Sequence, residues 1–169
     1  MVQKKICMLG SFAVGKTSLV ARYVSSVFSE RYLTTVGVKI DKKILAVEGT
    51  DVTLMLWDIY GEDDFQKLRM SYLRGAEGYL LVVDGTRKAT LDVAAKLQQT
   101  VRDEVGPVPF VVCLNKADLR ASWEIDLAWL GERVRVDGWD VIDTSAKSGI
   151  GVEDAFARLT ARMLAATPQ

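Results

Sequence analysis

Apolar residues come in short runs separated by polar, glycine-bearing turns, and the spacing inside each run separates strands from helices. Lys5-Ile6-Cys7-Met8-Leu9 predicts a short strand, and Thr17 to Val24 continues beyond the next turn as a helix. Ser25 to Lys39 shows neither period and contains Thr34, Thr35 and Gly37; it predicts an extended loop of a length more often functional than idle. Val38 to Val47 and Val52 to Trp57, joined near Glu48-Gly49, predict an antiparallel hairpin in which Lys42 and Lys43 suit a solvent-facing edge. The pattern breaks at Ile59-Tyr60-Gly61-Glu62-Asp63-Asp64, then resumes helically through about Arg74.

Tyr79 to Val83 is almost wholly apolar, as expected of a central strand covered on both faces. Leu91, Ala94, Leu97, Val101 and Val105 recur at helical spacing until Gly106-Pro107 stops them, and Val108 to Leu114 predicts another buried strand ending at Asn115. Ser122 to Val136 is expected to form one helix with Leu127, Leu130 and Val134 inward. Val141-Ile142 predicts a last short strand, and Val152 to Leu164 a final helix with Ala155, Phe156, Leu159 and Met163 on one face.

Strands alternating with helices predict an α/β fold, a mostly parallel sheet wrapped on both faces. Ligands bind such sheets where the carboxyl ends of the strands open. The polar motifs fall there: Gly10 to Thr17 after the first strand, Asp58 to Gly61 after the third, Asn115 to Asp118 after the fifth and Ser145 to Lys147 after the sixth.

Gly10-Ser11-Phe12-Ala13-Val14-Gly15-Lys16-Thr17 reads GxxxxGKT between a strand-like and a helix-like run. That pattern is a phosphate-binding loop: backbone N–H groups point at phosphate oxygens, and a side chain at Gly15 would crowd the approach. Lys16 neutralises the β- and γ-phosphates, and the Thr17 hydroxyl is placed to ligate Mg²⁺. In Asn115-Lys116-Ala117-Asp118, the Asp118 carboxylate can accept from the N1–H and 2-amino group of guanine, an arrangement of donors that adenine lacks.

The 169-residue length suits one domain with a self-sufficient core. Zero net charge and the lack of a dense basic block give no nucleic-acid footprint. The two cysteines, Cys7 and Cys113, lie inside apolar runs and are expected to be buried thiols. With no histidine, the usual general base is missing, so catalysis falls to backbone donors, lysine, a metal or carboxylates. No apolar run approaches a membrane-spanning length, and the amino end carries no signal-like segment, so a cytoplasmic location is expected. The chain ends without a cysteine for prenylation, so no membrane anchor is expected in it. Trp123, Trp129 and Trp139 match no motif; packing is their default, a partner surface the alternative.

Taken together, the sequence resembles the small Ras-like GTPases, and within them the Rab branch, over essentially its whole length. Thr35-Val36-Gly37-Val38, Trp57-Asp58, Ser71-Tyr72-Leu73-Arg74-Gly75-Ala76 and Thr144-Ser145-Ala146-Lys147 carry the resemblance beside the two loops above. It implies a single G domain over 1–169, of the three-layer P-loop NTPase type, with about six mostly parallel strands, one antiparallel edge strand and helices on both faces. It implies GTP or GDP with Mg²⁺ as ligands, bound by Ala13, Val14, Gly15, Lys16, Thr17, Ser18, Asn115, Lys116, Asp118, Leu119, Ser145, Ala146 and Lys147. By the same resemblance Phe28 sets a ring against guanine, and the Lys116 stem covers its face. The Ala146 N–H meets the guanine carbonyl, and Tyr32 caps the phosphates unless it is an ordinary exposed aromatic. Thr35 joins Thr17 on the metal, Asp58 reaches it through water, and Gly61 donates its N–H to the γ-phosphate.

Three departures from the family pattern bear on hydrolysis: Phe12 where glycine is usual, Ile59-Tyr60 where Thr-Ala is usual, and Glu62 in place of the water-orienting glutamine. The residues expected to serve catalysis are Lys16, Thr35, Gly61 and Glu62. The expected function is a guanine-nucleotide switch with slow hydrolysis. Its effector, exchange factor and activating protein are expected to contact residues about 30–40 and 59–74. A GTP-binding interaction module with negligible hydrolysis is the alternative, and a P-loop kinase or ATPase a third reading.

Overall fold

The computed structural model describes residues 2–26, 38–59 and 70–166. Six strands form one sheet in the order β2-β3-β1-β4-β5-β6: β1 Val2–Leu9, β2 Val38–Val47, β3 Thr50–Ile59, β4 Gly78–Asp84, β5 Phe110–Asn115 and β6 Val141–Asp143. Every pairing is parallel except β2 with β3. The helices are α1 Lys16–Ser25, α2 Met70–Leu73, α3 Ala89–Glu104, α4 Leu127–Asp137 and α5 Val152–Ala166.

The strand period of two divides the core into two layers. Ile6, Met8, Leu54, Leu56, Leu80 and Val82 pack against Leu19 and Tyr23 of α1 and Phe156 and Leu159 of α5. Cys7, Leu9, Leu81, Val83, Val112 and Leu114 face the other way, onto Leu91, Ala94, Leu97 and Val101 of α3 and Leu130 of α4. All seven residues of β4 are buried, as its unbroken apolar run requires. The hairpin turns at Glu48 (φ 50°) and Gly49 (φ 81°), a left-handed pair that matches the twist of its strands and pairs Val47 with Thr50. Lys42 is exposed as expected, whereas the half-buried Lys43 lays its ammonium on the Tyr23 carbonyl at 2.9 Å.

The expected helix over Ser122 to Val136 is corrected. A 3₁₀ turn covers Ala117–Ser122, Trp123 to Asp126 run without helix, and α4 begins at Leu127. Asp126 sets that start, because its side chain accepts from the Trp129 N–H and caps the first turn. The inward face is therefore Leu130 with Trp129, while Leu127 and Val134 are 67% and 43% exposed. Trp139 is buried with Trp129 edge-on to it at 5.8 Å, and Trp123 packs half-buried elsewhere on the same core layer, so these three tryptophans are packing residues. Among the described residues no helix is long and apolar enough to cross a membrane.

Cys7 and Cys113 are free and fully buried. Burial raises both thiols to about 12, against the pull of Lys5 at Cys7 and with the added push of Asp140 at Cys113. The folded state thus holds both protons where the unfolded chain releases them. Stability is expected to be intact below about pH 9 and to fall as pH rises toward about 12. At about pH 8 the native chain should leave both thiols unmodified by a disulfide reagent that titrates them in denaturant. Rapid native labelling would contradict this packing.

Candidate functional site

The carboxyl ends of β1, β3, β5 and β6 deliver the polar motifs to one rim. At the first, Gly15 has φ 105°, and a Cβ there would stand 2.3 Å from the Asn115 side-chain nitrogen, so glycine is required by conformation and by space. Gly15 leads directly into α1, leaving the N–H groups of that helix's first turn open to an anion. Ala13 holds φ 62°, an uncommon conformation for a residue with a Cβ. The Lys16 ammonium lies 3.2 and 3.3 Å from the carbonyls of Gly10 and Ser11. Burial lowers its pKa to about 8; the Asp58 carboxylate opposes that shift and the Arg87 charge adds to it.

From β3, Asp58 is 1% exposed and its Oδ2 accepts from the Thr17 hydroxyl at 2.5 Å. This hydroxyl and carboxylate form an all-oxygen pair beside the phosphate loop, the donor chemistry a small hard cation such as Mg²⁺ takes.

Asn115, at the end of β5, is a joint between loops. Its amide donates to the Val14 carbonyl at 2.9 Å and its Oδ1 accepts from the Thr144 hydroxyl at 3.1 Å, all in the buried interior. The Asp118 carboxylate, on an exposed residue, accepts from the Ser145 hydroxyl at 2.8 Å, and Ser145 in turn accepts from the Ser148 N–H at 3.0 Å. The Asp118 carboxylate is thereby tied to the loop after β6. Ala146 is buried, whereas Lys147 and Leu119 are exposed at the same rim. From α1, Arg22 donates to the carbonyls of Ala146 (2.7 Å) and Lys147, fixing the loop after β6 to the helix that follows the phosphate loop.

This arrangement is accompanied by a match to the Ras family over residues 5–165. The chain belongs to the Ras family. Relatives include Ras-related protein Rab-7b of Bos taurus, 34% identical over 96% of this chain and 83% of its own length. Ras-related protein Rab-32 of Mus musculus is 32% identical (95% and 75%), and Ras-related protein Rab-13 of Bos taurus 28% identical (95% and 79%). As a Ras-family protein near the Rab branch, the chain is a GTP-binding regulatory protein of a class that hydrolyses GTP.

Of the residues expected at this Ras-family site, Ala13 to Ser18, Asp58, Asn115 to Leu119 and Ser145 to Lys147 gather at the rim. Phe28, Tyr32, Thr35, Gly61 and Glu62 lie outside the described residues, as does most of the loop expected over Ser25 to Lys39.

Sequence reasoning missed Asp84, Arg87 and Trp123. Asp84 ends β4 buried; its Oδ2 accepts from Lys116 at 2.7 Å and Arg87 at 3.0 Å, while its Oδ1 accepts from the Thr86 backbone and hydroxyl. Burial by itself raises the Asp84 carboxyl, but the Lys116 and Thr86 hydrogen bonds and the Lys116 charge outweigh it and lower the pKa. Trp123 donates to the Lys116 carbonyl at 2.8 Å, with its ring so close over Gly85 that a Cβ there would lie 2.2 Å from it. The available signal was position: Asp84 closes an apolar strand on the same rim as the recognised motifs.

Proposed function

We propose that this chain is a guanine-nucleotide switch: it binds Mg²⁺ with GTP or GDP at this rim, hydrolyses GTP slowly, and changes partner binding through residues about 30–40 and 59–74. The observation that carries the reading is the buried Asn115 amide joining the phosphate loop to the loops bearing Asp118 and Ser145 to Lys147. A generic phosphate site needs no such connection to a base-reading carboxylate.

In this reading the N–H groups of Ala13 to Ser18 cradle the phosphates and Lys16 sits between the β- and γ-groups. Thr17, Thr35 and, through water, Asp58 hold Mg²⁺, which when bound offsets phosphate charge. Asp118 takes two hydrogen bonds from guanine, helped by Asn115, Leu119, Ser145, the Ala146 N–H and Lys147, with Phe28 and the Lys116 stem against the ring faces. Tyr32 covers the phosphates, and Gly61 donates to the γ-group. Loss of the γ-phosphate releases the switch residues.

A partner surface is supported by the face of β2 and β3 nearest those residues. Ile40 and Ile44 are 45% and 51% exposed there, and the Trp57 ring lies 6.4 Å from that of Tyr72. Lys5 sits 3.6 Å above the Trp57 ring. The proposed partners are proteins that read these apolar groups in one nucleotide state.

Slow hydrolysis follows from Phe12 and Glu62. Glutamine can accept from the attacking water and donate to a phosphoryl oxygen; an ionised Glu62 accepts only and brings like charge toward the γ-phosphate. Phe12, 37% exposed on the phosphate loop, adds bulk where that water must be positioned.

Replacing Asp118 by Asn is expected to abolish the preference for GTP over ATP and favour xanthosine nucleotides, whose 2-position bears oxygen. Competition binding measures this, and unchanged GTP affinity would remove Asp118 from the site. Glu62→Gln should speed single-turnover phosphate release by up to about 10²-fold, the scale of one well-placed donor. Slower release in that variant would assign the water to Glu62.

A further inference from the structure

We infer that Arg87 is an intramolecular arginine for phosphoryl transfer, a cation supplied by the chain itself to the γ-phosphate end of its phosphate loop; this rests on the guanine-nucleotide reading above. Arg87 lies between β4 and α3, away from the recognised motifs. Its Nε donates to Asp84 Oδ2 at 3.0 Å, and its Nη2 donates to the Phe12 carbonyl at 2.5 Å. The guanidinium is thus turned onto the phosphate loop and clamped at both ends, though the side chain is 40% exposed.

The charge balance there is asymmetric. Asp84 Oδ2 is shared by Arg87 and by Lys116, whose ammonium also lies 3.4 Å from the Ala13 carbonyl. Among the described residues one carboxylate therefore faces two cations at this point of the loop. A structural ion pair for Asp84 requires one of them. The location is also specific: the Lys16 ammonium rests on the carbonyls of Gly10 and Ser11, so the segment ending at Phe12 flanks the β/γ end of a bound triphosphate. Arg87 is near enough to that ammonium for their charges to repel.

Hydrolysis forms a bond from the water oxygen to the γ-phosphorus and breaks the bond from that phosphorus to the β–γ bridging oxygen. The bonding pair leaves with GDP, and a water proton ends on inorganic phosphate. Negative charge builds on the γ and bridging oxygens as this happens, and a preorganised guanidinium stabilises it without reorganising. Nε and one Nη2 proton are committed to Asp84 and Phe12, and the guanidinium has further N–H donors for the phosphoryl oxygens. Lysine carries one compact ammonium and cannot span the three partners together. With Glu62 in place of glutamine, Arg87 adds to the charge stabilisation that Lys16 and the Gly61 N–H supply.

The test uses the whole chain without any activating protein, comparing wild type with Arg87→Ala and Arg87→Lys. GDP affinity, affinity for GDP with aluminium fluoride as a transition-state mimic, and single-turnover phosphate release are measured in each. Wild type should bind the mimic unaided. Arg87→Ala should lower phosphate release and the ratio of mimic to GDP affinity by about 10²-fold, and Arg87→Lys should restore neither. Arg87→Lys alone carries the comparison if Arg87→Ala does not fold.

Equal rates and mimic binding in wild type and variants would overturn the inference, as would wild type that binds GDP but not the mimic. Parallel loss of GDP and mimic would also overturn it, reducing Arg87 to a support for the phosphate loop. Absence of GDP binding by wild type would instead remove the guanine-nucleotide reading, and this inference with it.

Discussion

The carboxamide of Asn115 donates to the Val14 carbonyl and accepts from the Thr144 hydroxyl where water does not reach, so the phosphate loop and the ends of β5 and β6 share one rigid joint. Buried polar groups must be paired, and each left unpaired costs about 1–3 kcal/mol. That penalty fixes the loops relative to one another. Gly15 has no Cβ because the same carboxamide occupies its place. The loop after β1 and the loop after β6 are thus joined through the end of β5.

A second support stands beside the first. Asp84 anchors Lys116 and Arg87, and Trp123 presses on Gly85 while its indole holds the Lys116 carbonyl. Lys116 holds φ 68°, between the phosphate loop and Asp118. Arg22 closes the circuit from α1 to the loop after β6. These contacts tie the loops that follow β1, β5 and β6 to one another.

The strands and their alternation with helices were legible because an apolar run between polar turns has few alternatives, and Tyr79 to Val83 suited a central strand. The phosphate loop and Asn115 to Asp118 were legible because their chemistry constrains residue type and spacing together. Leu127 and Val134 were misplaced because an apolar period does not reveal where a helix begins, and the Asp126 cap decides that. Asp84 and Arg87 were missed because their meaning lies in contacts distant in sequence, of Asp84 with Lys116 and of Arg87 with Phe12, which no local pattern encodes.

The central claim is that the γ-phosphate selects one arrangement of residues about 30–40 and 59–70 while the sheet stays fixed. Hydrogen–deuterium exchange of the full chain, loaded with Mg²⁺ and either GDP or a non-hydrolysable GTP analogue, reads this directly. The account predicts slower exchange in both segments with the analogue, and equal exchange in β1 and β4. Identical protection of both segments in the two nucleotide states would contradict it.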